Sequence, residues 1–340
     1  MDSLKEYQNK VNNALKGFLE KKAEKDGGYS EKIKELIENV AEFNMRGGKR
    51  IRPILIIFSY KCFKDDDKII DAAICIELMQ AYLLIHDDIM DNSNLRRGKP
   101  SMHKIYEKIF GEHFGLSMAV LAGDLCNHYA YDCILESKFN DNERINAIRY
   151  INWIANREIY GQTLDVFPGF EKITEQEILK IYELKTATYT SQGPIYIGCT
   201  LAGAPRGEVE KMQGYAYNLG IAFQLQDDLN GIFGEVNGMG KPNESDIKEG
   251  KKTLVIAKAL EMADKKDKDF LLINYGKQDI TEGNTDKIRE IIKKCGAFNY
   301  CREKFYELIE NGKKEIGKMD LREDGKKSLL ELADYVKSLL

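Results

Sequence analysis

Apolar residues recur at three- and four-residue spacing through 31–44, 68–90, 116–137, 143–162, 175–200, 207–233, 252–264 and 300–317, with short polar loops between these stretches. That period puts one apolar face on each stretch and predicts helices, about ten in all. The first thirty residues follow the same rule. Leu4, Tyr7, Val11, Leu15 and Phe18 stand at helical spacing among charges, the pattern of a folded helix rather than of a secretory leader. No stretch alternates as a strand would. Pro194 falls inside a periodic segment and is expected to kink or break a helix there, because it lacks a backbone donor. The Lys/Asp-rich run 264–269 reads as a solvated turn. With no repeat of fixed period and no low-complexity linker, one domain spanning 1–340 is the simplest organisation.

Composition sharpens this to an all-α fold. Only 6 prolines interrupt a chain rich in Leu, Ile, Lys, Glu and Ala, residues that lose little freedom in a helix. The formal charge of -4 comes from 51 basic and 55 acidic residues spread along the chain, which argues against a nucleic-acid partner and makes any phosphate recognition local. The 7 cysteines, Cys62, Cys75, Cys126, Cys133, Cys199, Cys295 and Cys301, form no Cys-x-x-Cys pair, so zinc or redox chemistry is not indicated and a reducing cytoplasm is the expected setting. No apolar run reaches the ~18 residues of a membrane span.

The chemistry concentrates where apolar helices meet charge. Leu83-Leu84-Ile85-His86-Asp87-Asp88-Ile89-Met90-Asp91 ends in a burst of carboxylates, and Asp87 and Asp91 share one helix face. Carboxylates so close repel each other and oppose the dipole at a helix C-terminus, so a cation is expected to offset them. Mg²⁺, a hard ion that takes oxygen ligands and shares substrate phosphates, is the natural one. A second acidic pair ends Phe223-Gln224-Leu225-Gln226-Asp227-Asp228, with Gln224 one turn before Asp227, an arrangement expected to face a carboxylate and a neutral amide into the same space. Cations cluster in loops: Lys49 and Arg52 in Gly47-Gly48-Lys49-Arg50-Ile51-Arg52-Pro53, Arg96 and Arg97 before Gly98, Lys241, and Asp246 with Lys251 and Lys252. Glycines beside them let backbone approach an anion closely.

In this order the motifs Gly-Gly-Lys-Arg-Ile-Arg-Pro, Asp-Asp-Ile-Met-Asp with Arg-Arg-Gly-Lys-Pro-Ser-Met-His, Gly-Gln-Thr-Leu-Asp, Lys-Thr-Ala-Thr, Phe-Gln-Leu-Gln-Asp-Asp and Gly-Lys-Pro resemble the trans-isoprenyl (polyprenyl) diphosphate synthase family, most closely its archaeal-type geranylgeranyl members. The likeness covers about residues 40 to 260 and implies the isoprenoid synthase fold, a bundle of about ten or more long helices around a central cavity. It implies that Asp87 and Asp91 bind two Mg²⁺ ions and Asp227 a third, with Asp246 reaching it through water and Asp88 and Asp228 in support. It assigns Arg96, Asp165, Lys185 and Lys241 to the allylic diphosphate, and Lys49, Arg52, Gln80 and Arg97 to isopentenyl diphosphate. Lys185 by its carbonyl, Thr186 and Gln224 would face the allylic cation. His86 and His103 are expected to form hydrogen bonds. A homodimer is the inherited expectation.

Two departures from the family pattern stand out. The fifth position of the second acidic motif is Gly231 where an aspartate is common, and the first motif lacks the two-residue insertion of bacterial farnesyl-type enzymes. The C-terminal residues lack the basic tail of some farnesyl enzymes. By the same likeness the growing chain runs beside the helix of Asp87. Tyr82, five residues earlier and roughly 7.5 Å along the axis, would limit it, while Leu83 leaves room that a second aromatic would close. Leu78, Met79 and Cys75 are deeper candidates for the floor. These positions imply a C20 product, with C15 the alternative. A class I terpene cyclase would not need Lys49, Arg52 and Arg97, and a non-catalytic regulatory subunit would tend to lose an acidic motif.

Overall fold

The computed structural model describes residues 2–167, 169, 173–234 and 244–340. It forms two compact units, 1–152 with 194–209 and 321–325, and 153–193 with 210–320 and 326–340.

The first unit begins with α1 (Asp2–Asp26), α2 (Glu31–Asn44), α3 (Ile51–Lys61), α4 (Ile70–Ala73) and α5 (Cys75–Met90). A two-residue hairpin, β1 (Leu95–Arg96) against β2 (Lys99–Pro100), follows, then α6 (Met102–Phe110), α7 (Glu112–Leu135) and α8 (Asp141–Val166), whose last part belongs to the second unit. Ile76, Leu78, Met79, Ala81, Leu83 and Ile85 of α5 are all buried, so this helix is apolar round most of its circumference and forms the centre of its unit. Pro53 sits in the first turn of α3, where a missing N–H costs nothing.

The second unit continues through α9 (Glu175–Ile181), a π-helical segment (Tyr182–Gln192), α10 (Gly193–Leu201), which returns to the first unit at Pro194, and α11 (Arg206–Lys211). Beyond these come α12 (Gln213–Phe233), α13 (Ser245–Glu249), α14 (Leu254–Met262), α15 (Lys265–Asn274), α16 (Glu282–Lys294), α17 (Ala297–Gly317) and α18 (Glu323–Lys337). Here α12 has the central place, with Tyr215, Leu219, Ile221, Leu225, Leu229 and Ile232 buried. The all-α expectation holds; the first acidic motif ends α5, and the second lies in the last two turns of α12, each on the buried central helix of its own unit.

Three local expectations change. Pro194 breaks no helix: the preceding segment runs in the π register, the Gly193 N–H reaching back to the Thr188 carbonyl, and the missing Pro194 donor falls where that register returns to α. The run 264–269 is the start of α15 rather than a turn, because the Asp264 carboxylate accepts the Asp267 N–H at 2.9 Å and caps the helix. Helices at Ile51–Lys61, Glu282–Lys294 and Glu323–Lys337 were not separated by the apolar period. The first is buried on nearly every side and shows no stripe, and in the other two a few apolar positions stand among many charges. Among the described residues no helix is long and apolar enough to cross a membrane.

Candidate active site

In the first unit the C-terminal turn of α5 carries Asp87, Asp88 and Asp91. Asp88 is fully buried, and Arg96 from the hairpin donates to its Oδ1 through Nε at 2.9 Å and again through a terminal nitrogen. Its Oδ2 is buried with no hydrogen-bond partner. Burial pushes the Asp88 carboxyl up despite Arg96, and the neighbouring Asp87 adds to that rise. Asp87 keeps a looser contact with Arg96, 3.7 Å, and remains partly accessible, while Asp91 is exposed. Asp88 therefore orients the arginine, and Asp87 and Asp91 present their oxygens outward.

The basic loop is assembled beside this turn by contacts that no local spacing reveals. Arg46, at the end of α2, is tied to Glu42 at 2.7 Å and donates to the Pro100 carbonyl at 2.9 Å, which clamps the hairpin onto the loop. Arg97, itself in a left-handed conformation (φ 54°), donates to the Gly47 carbonyl and covers Gly48, where a Cβ would lie 3.2 Å from its guanidinium. Burial lowers the Arg97 pKa, and Arg50, Arg52 and Arg96 lower it further against the pull of Glu77, which is the electrostatic signature of a cationic pocket.

Arg50 is the residue that sequence reasoning missed here. It is 4% exposed, takes φ 54°, and points its guanidinium inward to Glu77 of α5, to the Asn44 carbonyl at 2.7 Å and to Asn12 at 2.9 Å. Lys49 and Arg52 flank it in sequence, so a buried ion pair fixes the backbone that carries them.

Gln80, Tyr82 and Leu83 lie on α5, with Leu78, Met79 and Cys75 buried a turn or two earlier. The Tyr82 ring meets His86 edge-on, centroids 4.9 Å apart. His86 rests in turn on α7 at Gly123, where an added Cβ would lie 2.3 Å from its Nε2, and is within hydrogen-bond distance, 3.2 Å, of the Val120 carbonyl. His103 is buried with Nδ1 3.3 Å from the Ser101 hydroxyl, and burial lowers its pKa toward the neutral form.

In the second unit, Lys185 on the π-helical segment pairs with Asp165 of α8 at 2.6 Å. Gly161 makes that possible, since a Cβ there would lie 2.4 Å from the Lys185 backbone nitrogen. Lys252 caps the end of α8 by donating to the carbonyls of Leu164 (2.9 Å), Asp165 (3.2 Å) and Phe167. Thr186, the residue after Lys185, donates its hydroxyl to the Gln224 amide oxygen, and the Gln224 amide nitrogen donates to Asp228 Oδ1 at 2.7 Å. The amide nitrogen thus serves Asp228, one full turn on. The Tyr182 hydroxyl donates to the other Asp228 oxygen and accepts the Leu254 N–H at 2.7 Å. Burial pushes the Asp228 carboxyl well up, and Asp246 adds to this. Asp227 is exposed, and Asp246 is 6% exposed with Lys251 at 3.2 Å. Lys241 lies outside the described residues.

The donor set suits Mg²⁺. Asp87, Asp91 and Asp227 offer hard oxygens, and the orphaned Asp88 Oδ2 lies beneath the first motif. Among the described residues no three His, Cys, Asp or Glu stand close enough together to hold a metal ion on their own.

Residues 34–294 match the polyprenyl synthetase family model, and the chain belongs to that family. It is accordingly a prenyltransferase. It is 36% identical over 282 residues to a short chain isoprenyl diphosphate synthase of Methanocaldococcus jannaschii, covering 82% of each chain. With a geranylgeranyl diphosphate synthase of Sulfolobus acidocaldarius it shares 32% identity over 96% of this chain and 95% of the other. The crystal structure of geranylgeranyl pyrophosphate synthase from Corynebacterium glutamicum, complexed with isoprenyl diphosphate and magnesium, superposes with a TM-score of 0.91 at 28% identity over 99% of both chains.

Proposed function

We propose that the chain works as one catalytic module over residues 1–340, a cytoplasmic homodimer that condenses isopentenyl diphosphate with dimethylallyl, geranyl or farnesyl diphosphate to give mainly geranylgeranyl diphosphate. The observation that carries this reading is the cationic pocket of Lys49, Arg52 and Arg97 beside the first acidic turn. A cyclase, which ionises one diphosphate, has no use for a second anion site. A regulatory subunit has no use for a cationic pocket together with the aspartates of both acidic turns.

Asp87, Asp91 and Asp227, with Asp246 behind the last, would hold three Mg²⁺ ions, and when bound these supply the positive charge that stabilises diphosphate as it leaves. Arg96, oriented by Asp88, and Lys185, oriented by Asp165, donate to the oxygens on which negative charge grows as the allylic C–O bond breaks, and Lys241 joins them. Thr186 spends its proton on Gln224, so its oxygen lone pairs are left for the allylic cation, and the Lys185 carbonyl and the Gln224 amide oxygen act with it. None of these dipoles is nucleophilic enough to capture the cation. Lys49, Arg52, Arg97 and Gln80 hold isopentenyl diphosphate while its double-bond electrons form the new C–C bond. The proton then lost passes to the released diphosphate, and no protein base is assigned. Tyr82, fixed against His86, and Leu83 set the product length, with Leu78 and Met79 as the floor. Farnesyl diphosphate is the second reading, favoured by the fixed ring of Tyr82.

The test is product length by mass spectrometry after incubation with Mg²⁺, isopentenyl diphosphate and each allylic starter separately. A C20 product is expected. A C15 main product, or one longer than C20, overturns the assignment of Tyr82 and Leu83, and no elongation from any starter overturns the condensation.

A further inference from the structure

We propose that Gly231 is a positioning residue whose missing side chain seats the Asp246 carboxylate of α13 beside the second acidic motif. A Cβ built on Gly231 would lie 2.0 Å from Asp246 Oδ2, 2.4 Å from Cγ and 2.8 Å from Oδ1. All three nearest atoms belong to the one carboxyl group. Gly231 lies within α12 and its φ is not positive, so its backbone does not call for glycine. Glycine is also among the least favourable residues for a helix interior. Space for Asp246 is the reason that remains.

The carboxylate is held there from its own side. Asp246 is buried, its ion pair with Lys251 measures 3.2 Å, and the Lys251 N–H donates to the Asp246 carbonyl at 3.1 Å. The Ile247 carbonyl accepts the Gly276 N–H at 2.8 Å, which ties α13 to the chain after α15. A side chain at position 231 would meet that carboxyl group and displace it from its seat. This inference rests on the reading that Asp227 and Asp246 serve Mg²⁺.

The experiment uses the full chain with Mn²⁺ and inorganic pyrophosphate, bound metal being followed by electron paramagnetic resonance, for Gly231→Ala, Asp246→Ala and the double variant. Each single variant is expected to weaken the affected Mn²⁺ by tenfold or more, the loss typical when a group supporting a metal is removed. The double variant should be no worse than Asp246→Ala. Melting without metal gives a second readout that survives poor folding. Ala at 231 should lower Tm beside Asp246, yet raise it by roughly 1–3 °C once Asp246 is Ala and the clash is gone. Wild-type Mn²⁺ affinity in Gly231→Ala, with Asp246→Ala impaired, overturns the positioning role and leaves the metal reading standing. An equal loss from Gly231→Ala in both backgrounds overturns it too. Unchanged affinity in Asp246→Ala removes Asp246 from the metal site and takes the inference with it.

Discussion

Replacing Arg50 by Met strikes the basic loop from beneath. The side chains of Arg50 and Glu77 are 2% and 4% exposed, so the substitution strands a carboxylate in the core of the first unit. Stranding one member of a buried pair costs about 3–5 kcal/mol, and the Asn44 carbonyl and Asn12 amide lose their partner as well. Against a typical net stability of about 5–15 kcal/mol, the variant should sit near its folding limit. Urea unfolding, read as a fall in midpoint at constant slope, measures this. Adding Glu77→Leu removes the stranded charge, and the double variant should return to wild-type stability or exceed it by about 1–4 kcal/mol. Catalysis should not follow. The left-handed backbone at Arg50 (φ 54°) costs about 1–3 kcal/mol unless its surroundings impose it, and without the guanidinium anchor Lys49 and Arg52 lose their fixed origin. The KM for isopentenyl diphosphate should stay raised tenfold or more in the double variant, with the allylic KM little changed. A single variant that loses less than about 1 kcal/mol, or a double variant that recovers KM along with stability, would refute the reasoning.

Other tests address separate parts of the molecule. Tyr82→Ala should shift the products to longer chains by mass spectrometry, and Gly123→Ala, whose Cβ would lie 2.3 Å from His86 Nε2, should change product length without touching Tyr82; unchanged products in both would remove this wall from the length assignment. At Glu175, partial burial pushes the carboxyl up, but Lys258, Lys304 and Tyr300 outweigh it and hold the pKa at about 2 against an ordinary 4.5. Its depressed pKa stabilises the fold above pH 4.5, and this contribution is lost as pH falls toward 2. Urea midpoints of Glu175→Gln should therefore fall less steeply than those of wild type over that range, and parallel slopes would contradict the assignment. Chelation of divalent ions should abolish turnover and leave far-ultraviolet circular dichroism unchanged, since burial holds the helices bearing the acidic motifs; a loss of helical signal would assign the metal a structural part.

What could be read from the chain alone was what lies close along it. Asp87 and Asp91 share a helix face by spacing, and the cations announce themselves beside glycines. Arg50 and Glu77 are 27 residues apart, and Tyr182 and Asp228 are 46 apart, so neither bond leaves a mark in local periodicity. Lys252 looked like one more loop cation because nothing near it shows that it caps α8, 85 to 88 residues away. Gly231 was legible as a departure, but its meaning depended on where α13 brings Asp246. The bond from the Gln224 amide to Asp228 is not chosen by spacing, since positions three and four residues on are both within reach of a helical side chain.

The π-helical stretch gives the enzyme an unusual response to changes in chain length. In an ordinary helix, removing one residue turns everything beyond it by ~100°, which would carry Lys185 away from Asp165 or Thr186 away from Gln224. Between Tyr182 and Gln192 the backbone is already wound one residue looser per hydrogen-bonded ring than an α-helix. A single deletion there has a second place to go, since the segment can tighten and keep its ends where they are. A scan of one-residue deletions across 182–192 would thus separate two things that substitutions confound: the side chains needed for chemistry, and the winding that aims them.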